Sequence, residues 1–119
     1  MADSERLQDT RTGAELIADE RKRQVTQEGW SPEHDDEHVK GELVWAARAY
    51  AVLYNMPFKM SQGTADQVGW PWDVESFKHD PVDPIRNLAK AGALIAAEID
   101  RLKRAEWEQH IANVEANRG

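Results

Sequence analysis

The sequence predicts a mainly α protein, a small single-domain helical fold of about three main helices joined by long polar loops. Its 119 residues suffice for one domain with its own core and are too few for two ordinary domains. Hydrophobic residues make up 40% of the chain and charged residues 31%, which is typical of a globular protein rather than a disordered one. Apolar residues recur at three- and four-residue spacing, and no stretch alternates as a strand does. We expect residues 1–11 to form a flexible N-terminus and residues 12–119 a single helical domain.

The first predicted helix begins after Thr12. This residue is a suitable N-cap, and Glu15, three positions later, is the usual capping-box partner. Gly29 favours the left-handed turn that ends many helices. Ser31-Pro32 marks a turn or a helix start, but residues 30–38 are polar and lack an apolar period, so we expect a loop there. The apolar face of the first helix is thin and consists of Leu16, Ile17 and Val25.

The second predicted helix spans residues 37–55 and ends before Met56-Pro57. The following residues, 58–69, contain two glycines and several small polar side chains, which predicts a mobile loop. The apolar positions of the helix recur at three- and four-residue spacing and are Val39, Leu43, Ala46, Ala47, Tyr50, Ala51 and Tyr54.

The last predicted helix spans residues 84–113. Asp83 is a good N-cap, with Pro84 at the first helical position. Gly92 indicates close contact with another helix. The apolar stripe that we expect to be buried consists of Ile85, Leu88, Gly92, Ile95, Ile99 and Leu102. Beyond Lys103 the helix becomes polar, yet Trp107, Ile111 and Val114 keep the spacing of a partner surface, which favours a homodimer through the C-terminal helix.

Composition and charge exclude several classes of function. The chain contains no cysteine, so disulfides, thiolate metal sites and thiol catalysis are excluded. Residues 1–12 lack the apolar segment of a signal peptide, and no apolar run approaches the roughly 20 residues of a membrane span. The net charge of −7 opposes general binding to nucleic acids. We therefore expect a cytoplasmic protein with no membrane or general nucleic-acid partner.

Residues 34–38 form the first segment that could carry chemistry. His34 and His38 are four residues apart and would share one face of a helix, and Asp35 and Asp36 could complete a zinc or iron site. The alternatives are an acidic first turn of the second helix and contacts to a ligand. No third, distant ligand is evident, so we predict ligand contacts by His34, Asp35 and Asp36 and no metal.

The all-helical nucleotide pyrophosphohydrolases, the MazG-like enzymes, are an alternative. Their magnesium site needs carboxylates one helical turn apart on two helices. Glu33 and Asp36 have this spacing, but Glu98 and Asp100 are two residues apart and lie on different faces of their helix. Binding without turnover is therefore favoured over catalysis, and no cofactor is predicted.

Trp70-Pro71-Trp72-Asp73 is the second segment of interest. The proline fixes the backbone, so both indoles are held at low entropic cost and can stack a nucleobase. A core plug between helices is the competing interpretation. Arg86, Asn87 and Lys90 follow at the start of the last helix, where they could meet a phosphate group. For Arg86 alone, an ordinary solvated helix face is favoured.

Two groups of residues resemble the ryanodine-receptor repeat (RyR) domain. Glu28-Gly29-Trp30 and the following Asp35-Asp36 are similar to its opening, in which a helix ends in Gly-Trp before a short loop with paired aspartates. Pro71-Trp72-Asp73, Lys78 and Arg86-Asn87-Leu88-Ala89-Lys90 then occur in the order of that family. The resemblance covers residues 16–99 discontinuously, and it implies a domain that senses a nucleotide-derived ligand through these residues.

The chain departs from that family in two ways and also resembles a second group. Ser31-Pro32 replaces the Tyr-Gly of the family, and a whole helix and a loop separate the two groups of residues. Residues 29–36, 70–72 and 90–99 are similar to segments of small proteins from tailed phages and prophages. This second resemblance implies a phage origin and says nothing of the mechanism. Together with the resemblance to the RyR domain, it implies a protein that acts in the host cell cytoplasm, binds a nucleotide-derived ligand and sequesters a host immune signal.

These observations together predict a pocket between residues 30–38 and residues 70–78. We expect a small nucleotide-like ligand to bind there without turnover. Trp30, Trp70 and Trp72 would stack the base, Arg86 and Lys90 would meet phosphate, and Asp35 or Asp36 would accept ligand hydrogen bonds or orient Arg86. The full predicted ligand-binding set is Trp30, His34, Asp35, Asp36, Trp70, Trp72, Asp73, Lys78, Arg86, Asn87 and Lys90. Two alternatives stay open: a metal-dependent nucleotide hydrolase using Glu33, His34, Asp36 and His38, and an acidic protein-binding inhibitor of a host defence complex.

Overall fold

The computed structural model describes residues 8–118 and contains, within that range, five α-helices and no strands. The helices are α1 (Gly13–Gln27), α2 (Pro32–Asp36), α3 (Glu42–Val52), α4 (Gln62–Gln67) and α5 (Pro84–Ala116). A short 3-10 turn, Val74–Ser76, lies between α4 and α5. Helices α1 and α3 pack against α5, and α2 also contacts α5. The predicted mainly α fold with three main helices is confirmed, while the prediction for residues 1–7 lies outside the described residues.

The capping of α1 follows the sequence prediction. The Thr12 hydroxyl accepts from the Glu15 amide at 3.2 Å, and the Glu15 carboxylate accepts from the Thr12 amide at 3.1 Å. The helix ends at Gln27, and Gly29 then adopts a φ of +72°. Because a left-handed conformation costs little only for glycine, this residue turns the chain away from α1.

Two segments predicted as loops contain short helices, so those predictions were wrong in part. Ser31 caps α2 by accepting from the His34 amide, and Pro32 occupies its first turn. Ser61 caps α4 in the same way, by accepting from the Thr64 amide. Both helices are shorter than two turns, so local capping decides them and no apolar period could reveal them.

The second predicted helix is shorter than expected, since α3 spans Glu42–Val52 rather than residues 37–55. Gly41 has a φ of +82°, which separates α3 from the residues before it. Of the apolar positions at helical spacing, Leu43, Ala46, Ala47 and Tyr50 are buried. Val39, Ala51 and Tyr54 are exposed.

The predicted N-terminus of α5 is confirmed, but its predicted buried stripe was wrong. Asp83 caps the helix by accepting from the Arg86 amide, with Pro84 in the first turn. The large members of the expected stripe are 44–57% exposed and are Ile85, Leu88, Ile95, Ile99 and Leu102. The buried face instead carries smaller or polar residues, namely Asn87, Ala89, Lys90, Ala91, Ala93, Leu94, Ala97 and Glu98.

Small side chains on both helices explain which face of α5 is buried. Helix α3 presents Ala46, Ala47 and Ala49, and α5 meets it with its own alanines, so the two backbones approach closely. The expected close contact at Gly92 is present: a Cβ there would lie 2.5 Å from Cδ1 of Ile17 on α1.

The C-terminal part of α5 extends beyond the body of the protein. Its 33 residues make a helix roughly 50 Å long at 1.5 Å per residue, and the longest dimension of the described structure is 64 Å. Arg104 contacts Asp36 and Pro32 of the α2 segment, but every residue from 105 to 118 is exposed. Among the described residues, no helix combines the length and apolar character that crossing a membrane requires.

Candidate functional site

A continuous series of aromatic rings joins the two segments that the sequence singled out. Trp30 stacks on His34 with ring centroids 5.8 Å apart, and His34 meets His38 edge to face at 4.9 Å. His38 meets Trp72 at 5.1 Å, and Trp72 meets Trp70 at 5.3 Å. The residues around Trp30 and those around Trp72 therefore lie against each other in the fold.

Trp70 belongs to the core. It is buried, stacks on Phe77 with centroids 4.5 Å apart and meets Tyr50 edge to face. Its indole N–H donates to the Asp73 carbonyl at 3.0 Å, so this ring is held by aromatic packing and by its polar edge within the fold. Trp72 is half-buried between His38 and Trp70, and Asp73 precedes the 3-10 turn as an exposed residue.

The acidic residues of α2 connect it to α1 and α5. Asp35 is fully buried and pairs with Arg21 of α1 at 2.5 Å, while its other oxygen lies 3.2 Å from Nδ1 of His34. Asp36 pairs with Arg104 of α5 at 2.8 Å. Within residues 8–118, no three His, Asp or Glu side chains converge in the way that metal ligands do.

Asn87 is also a structural residue in this conformation. Its side chain is fully buried, accepts from the Asp80 amide and donates to the carbonyls of Tyr54 and Asp80, each at 2.8 Å. These three bonds hold the turn after α3 and the loop before α5 together. Because the side chain is fully buried, it is not accessible to a ligand in this structure.

One cleft does bring together residues from both predicted segments. The Trp30 cleft, of about 370 Å³, is lined by Trp30, Lys78 and Lys90 of the predicted set and by Arg23, Gln24, Glu28, Tyr50, Glu75 and Ser76. The last six were not among the predicted site residues. For Tyr50, the sequence indicated only an apolar position of a helix. Arg23 and Gln24 are ordinary polar residues of a helix, with no pattern that marks them as functional.

Lys90 and Gln24 give the Trp30 cleft unusual polar chemistry. Lys90 is 6% exposed, its ammonium donates to the Lys78 carbonyl and lies 5.6 Å from the centre of the Tyr50 ring, and it forms no salt bridge with another described residue. Burial, followed by the nearby charge of Arg86, lowers the pKa of Lys90 to about 8. Gln24 is 2% exposed, and its Oε1 has no hydrogen-bond partner among the described residues. A buried cation without a salt-bridge partner and a buried acceptor without a donor are both unfavourable unless something binds them.

A second cleft shares three lining residues with the Trp30 cleft, namely Glu75, Lys78 and Lys90. The Arg86 cleft, of about 580 Å³, is lined by Lys59, Lys78, His79, Asp80, Arg86 and Lys90 among others. Nε2 of His79 donates to the Leu53 carbonyl at 2.8 Å, since a carbonyl can only accept, whereas its buried Nδ1 has no partner within the described part of the chain. Arg86 and Lys59 are exposed. The predicted phosphate contact Arg86 thus lies beside Lys90, but in the second cleft rather than the first.

Comparisons with other proteins give no relative from which a function could be transferred. No protein-family model matches the chain, and neither a curated protein nor a solved structure matches it.

Proposed function

We propose that this protein binds a small nucleotide-derived ligand in the Trp30 cleft without chemical turnover. The observation that carries the proposal is the buried ammonium of Lys90, which lacks a carboxylate partner, beside the unpaired Oε1 of Gln24. A nucleotide would give both groups a partner. Its phosphate is an anion that pairs with the Lys90 ammonium, and its base and ribose carry donors for Oε1 of Gln24. The indole of Trp30 lines the same cleft and offers a surface on which a base can stack.

The polar groups near the cleft support binding rather than catalysis. Glu28 pairs with Arg23 at 2.8 Å, Asp35 pairs with Arg21, and Asp36 pairs with Arg104. A general base needs a carboxylate or imidazole that can take up a proton from a reactant. These three carboxylates are held by arginines, and Glu75 is then the carboxylate of the cleft lining without a salt bridge to another described residue. If the protein comes from a phage, as its resemblance implies, such binding would sequester a nucleotide signal in the host cytoplasm.

A calorimetric titration with a panel of nucleotides, with and without Mg²⁺, tests this proposal. We expect binding by at least one nucleotide that is recovered intact by chromatography. Lys90→Met should weaken that binding by about tenfold or more, because a charge-assisted hydrogen bond to phosphate is lost. Lys103→Met is the matched control, since Lys103 is an exposed lysine of the same helix and lies outside both clefts.

A second pair of variants tests the stacking surface. Trp30→Leu should weaken binding, whereas Trp107→Leu, at an exposed tryptophan far along α5, should not. Absence of binding by every nucleotide would refute the proposed function. Consumption of the ligand would show that the protein is an enzyme.

We also propose that the free part of α5 pairs with a second copy of the chain. Trp107, Ile111 and Val114 are exposed on a helical segment that contacts nothing else in the described structure, and isolated helices of this length are marginally stable in water. In an antiparallel pair with Leu102 level with Trp107 of the other copy, Lys103 is level with Glu106 and the charges are complementary.

Sedimentation at high protein concentration tests the pairing. We expect a dimer for the natural chain and a monomer for Trp107→Glu, because a charge in an apolar helix contact is costly. Ala112→Glu is the matched control on a different face of the same exposed segment and should remain a dimer. A natural chain that sediments as a monomer would contradict the pairing.

A further inference from the structure

We infer that the ligand carries at least two phosphate groups and extends from the Trp30 cleft into the Arg86 cleft. This inference rests on the proposed function and specifies its ligand. Lys78 and Lys90 line both clefts, so a phosphate held between them has the aromatic surface of Trp30 on one side and Arg86 on the other. A nucleoside monophosphate would satisfy the first cleft alone.

The Arg86 cleft concentrates positive charge in a protein whose net charge is −7. Four cationic side chains line it, and none of them forms a salt bridge with another described residue: Lys59, Lys78, Arg86 and Lys90. Only two carboxylates, Glu75 and Asp80, share the lining. By contrast, arginines elsewhere on the surface, such as Arg101 and Arg104, are paired with acidic neighbours. An excess of unpaired cations in a concave surface favours an anion.

His79 supplies an independent sign that this cleft is built for a ligand. The residue is only 8% exposed, and its Nε2 donates to the Leu53 carbonyl. Nδ1, the other ring nitrogen, is buried without a partner among the described residues. Because Nε2 donates to the Leu53 carbonyl, Nδ1 of the neutral ring is an acceptor, which a ligand hydroxyl would satisfy. The Arg86 cleft therefore repeats the arrangement of the Trp30 cleft, with cations beside one unsatisfied buried atom.

Titrations of the full chain with adenosine monophosphate, adenosine diphosphate, the two guanosine counterparts and inorganic pyrophosphate test the inference. We expect the better diphosphate to bind about tenfold or more tightly than its monophosphate, as a further charge-assisted contact provides. Arg86→Gln should weaken diphosphate binding more than monophosphate binding, so that the preference of about tenfold for the diphosphate is lost. Lys59→Gln should reduce the preference for the diphosphate over the monophosphate. Lys103→Gln, at an exposed lysine outside both clefts, should leave this preference unchanged.

The outcomes separate this inference from the proposed function. Equal affinity for monophosphate and diphosphate, or equal weakening of both by Arg86→Gln, would overturn the inference while the nucleotide site stands. Pyrophosphate binding that depends on Arg86, together with no effect of Trp30→Leu, would support the anion site and contradict base stacking. If neither nucleotides nor pyrophosphate bind, both the inference and the proposed function fail. Thermal unfolding of each variant identifies any that has lost its fold, and Lys59→Gln, at an exposed side chain, preserves a test in that case.

Discussion

Lys90→Met separates what Lys90 contributes to the fold from what it contributes to a ligand. Methionine is of similar length and apolar, so it can occupy the buried path of the lysine stem without its charge. The natural side chain donates to the Lys78 carbonyl and lies over the ring of Tyr50. The variant loses both contacts but is relieved of burying an ammonium group that forms no salt bridge with another described residue.

The two effects are of similar size. Lowering the pKa of Lys90 from 10.5 to about 8 corresponds to at most about 3 kcal/mol. Because the ammonium borders two open clefts, solvent screens part of this cost, and we expect about 1–2 kcal/mol. The lost hydrogen bond and cation–π contact are together worth about 2 kcal/mol. The free energy of unfolding of Lys90→Met at pH 7 should therefore lie within about 1 kcal/mol of that of the natural chain.

The pH dependence gives a second measure of the same burial. Since folding lowers the pKa of Lys90, the unfolded chain holds this proton more tightly than the folded chain does. The contribution of Lys90 to the free energy of unfolding should thus rise as the pH increases from about 8 towards 10.5. Lys90→Met should lack this rise, and the difference between the two proteins cancels groups that titrate in both.

Urea unfolding followed by tryptophan fluorescence between pH 7 and pH 10 provides both measurements, with Lys103→Met as the control. A loss above about 3 kcal/mol for Lys90→Met at pH 7 would show that Lys90 is required by the fold, as members of buried ion pairs are. A difference between the two proteins that stays constant over this pH range would refute the buried, uncompensated ammonium. Either result would remove the main support for the proposed ligand site.

Two further predictions concern the packing that positions the clefts. Asp35→Asn should lower the free energy of unfolding by about 3–5 kcal/mol, because it leaves Arg21 beside a neutral buried group. Asp36→Asn, at the exposed neighbour, should lower it by only about 0–1 kcal/mol. Chemical denaturation that gives equal losses for the two variants would contradict this prediction. Gly92→Ala should destabilise the protein by about 0–2 kcal/mol, since contact with Ile17 outweighs the gain in helix propensity. In an Ile17→Ala background the same substitution should become stabilising by up to about 1 kcal/mol, and thermal melts that show no change of sign would exclude the predicted contact.

Helix positions were predictable wherever the signal was local. Thr12 with Glu15, Gly29, and Asp83 with Pro84 mark helix ends through hydrogen bonds and backbone angles that involve only a few neighbouring residues. The short helices α2 and α4 escaped prediction because a helix of five or six residues shows no apolar period. Their local signs were the capping serines, Ser31 and Ser61, together with Pro32 in the first turn of α2.

The candidate site was predictable only in part. Trp30, Lys78 and Lys90 were chosen from the sequence and meet in one cleft, while Trp70 and Asn87 were chosen on the same basis and are buried structural residues. A tryptophan or an asparagine has the same chemistry in a core as in a site. Its role depends on which atoms the rest of the chain occupies, here the Asp73 carbonyl for Trp70 and three backbone groups for Asn87.

The sequence by itself determined where the long helices form, since propensity, capping and apolar spacing act within one helix. Only the tertiary structure decided which face of α5 is buried. That helix has a stripe of large residues such as Ile95 and Ile99 and another of small ones such as Ala93 and Ala97, and both are apolar. The small stripe is buried because it fits the alanines of α3, and shape complementarity between distant residues is not encoded in the period of either helix. This choice turns Lys90 inward, and with it the cleft on which the proposed function depends.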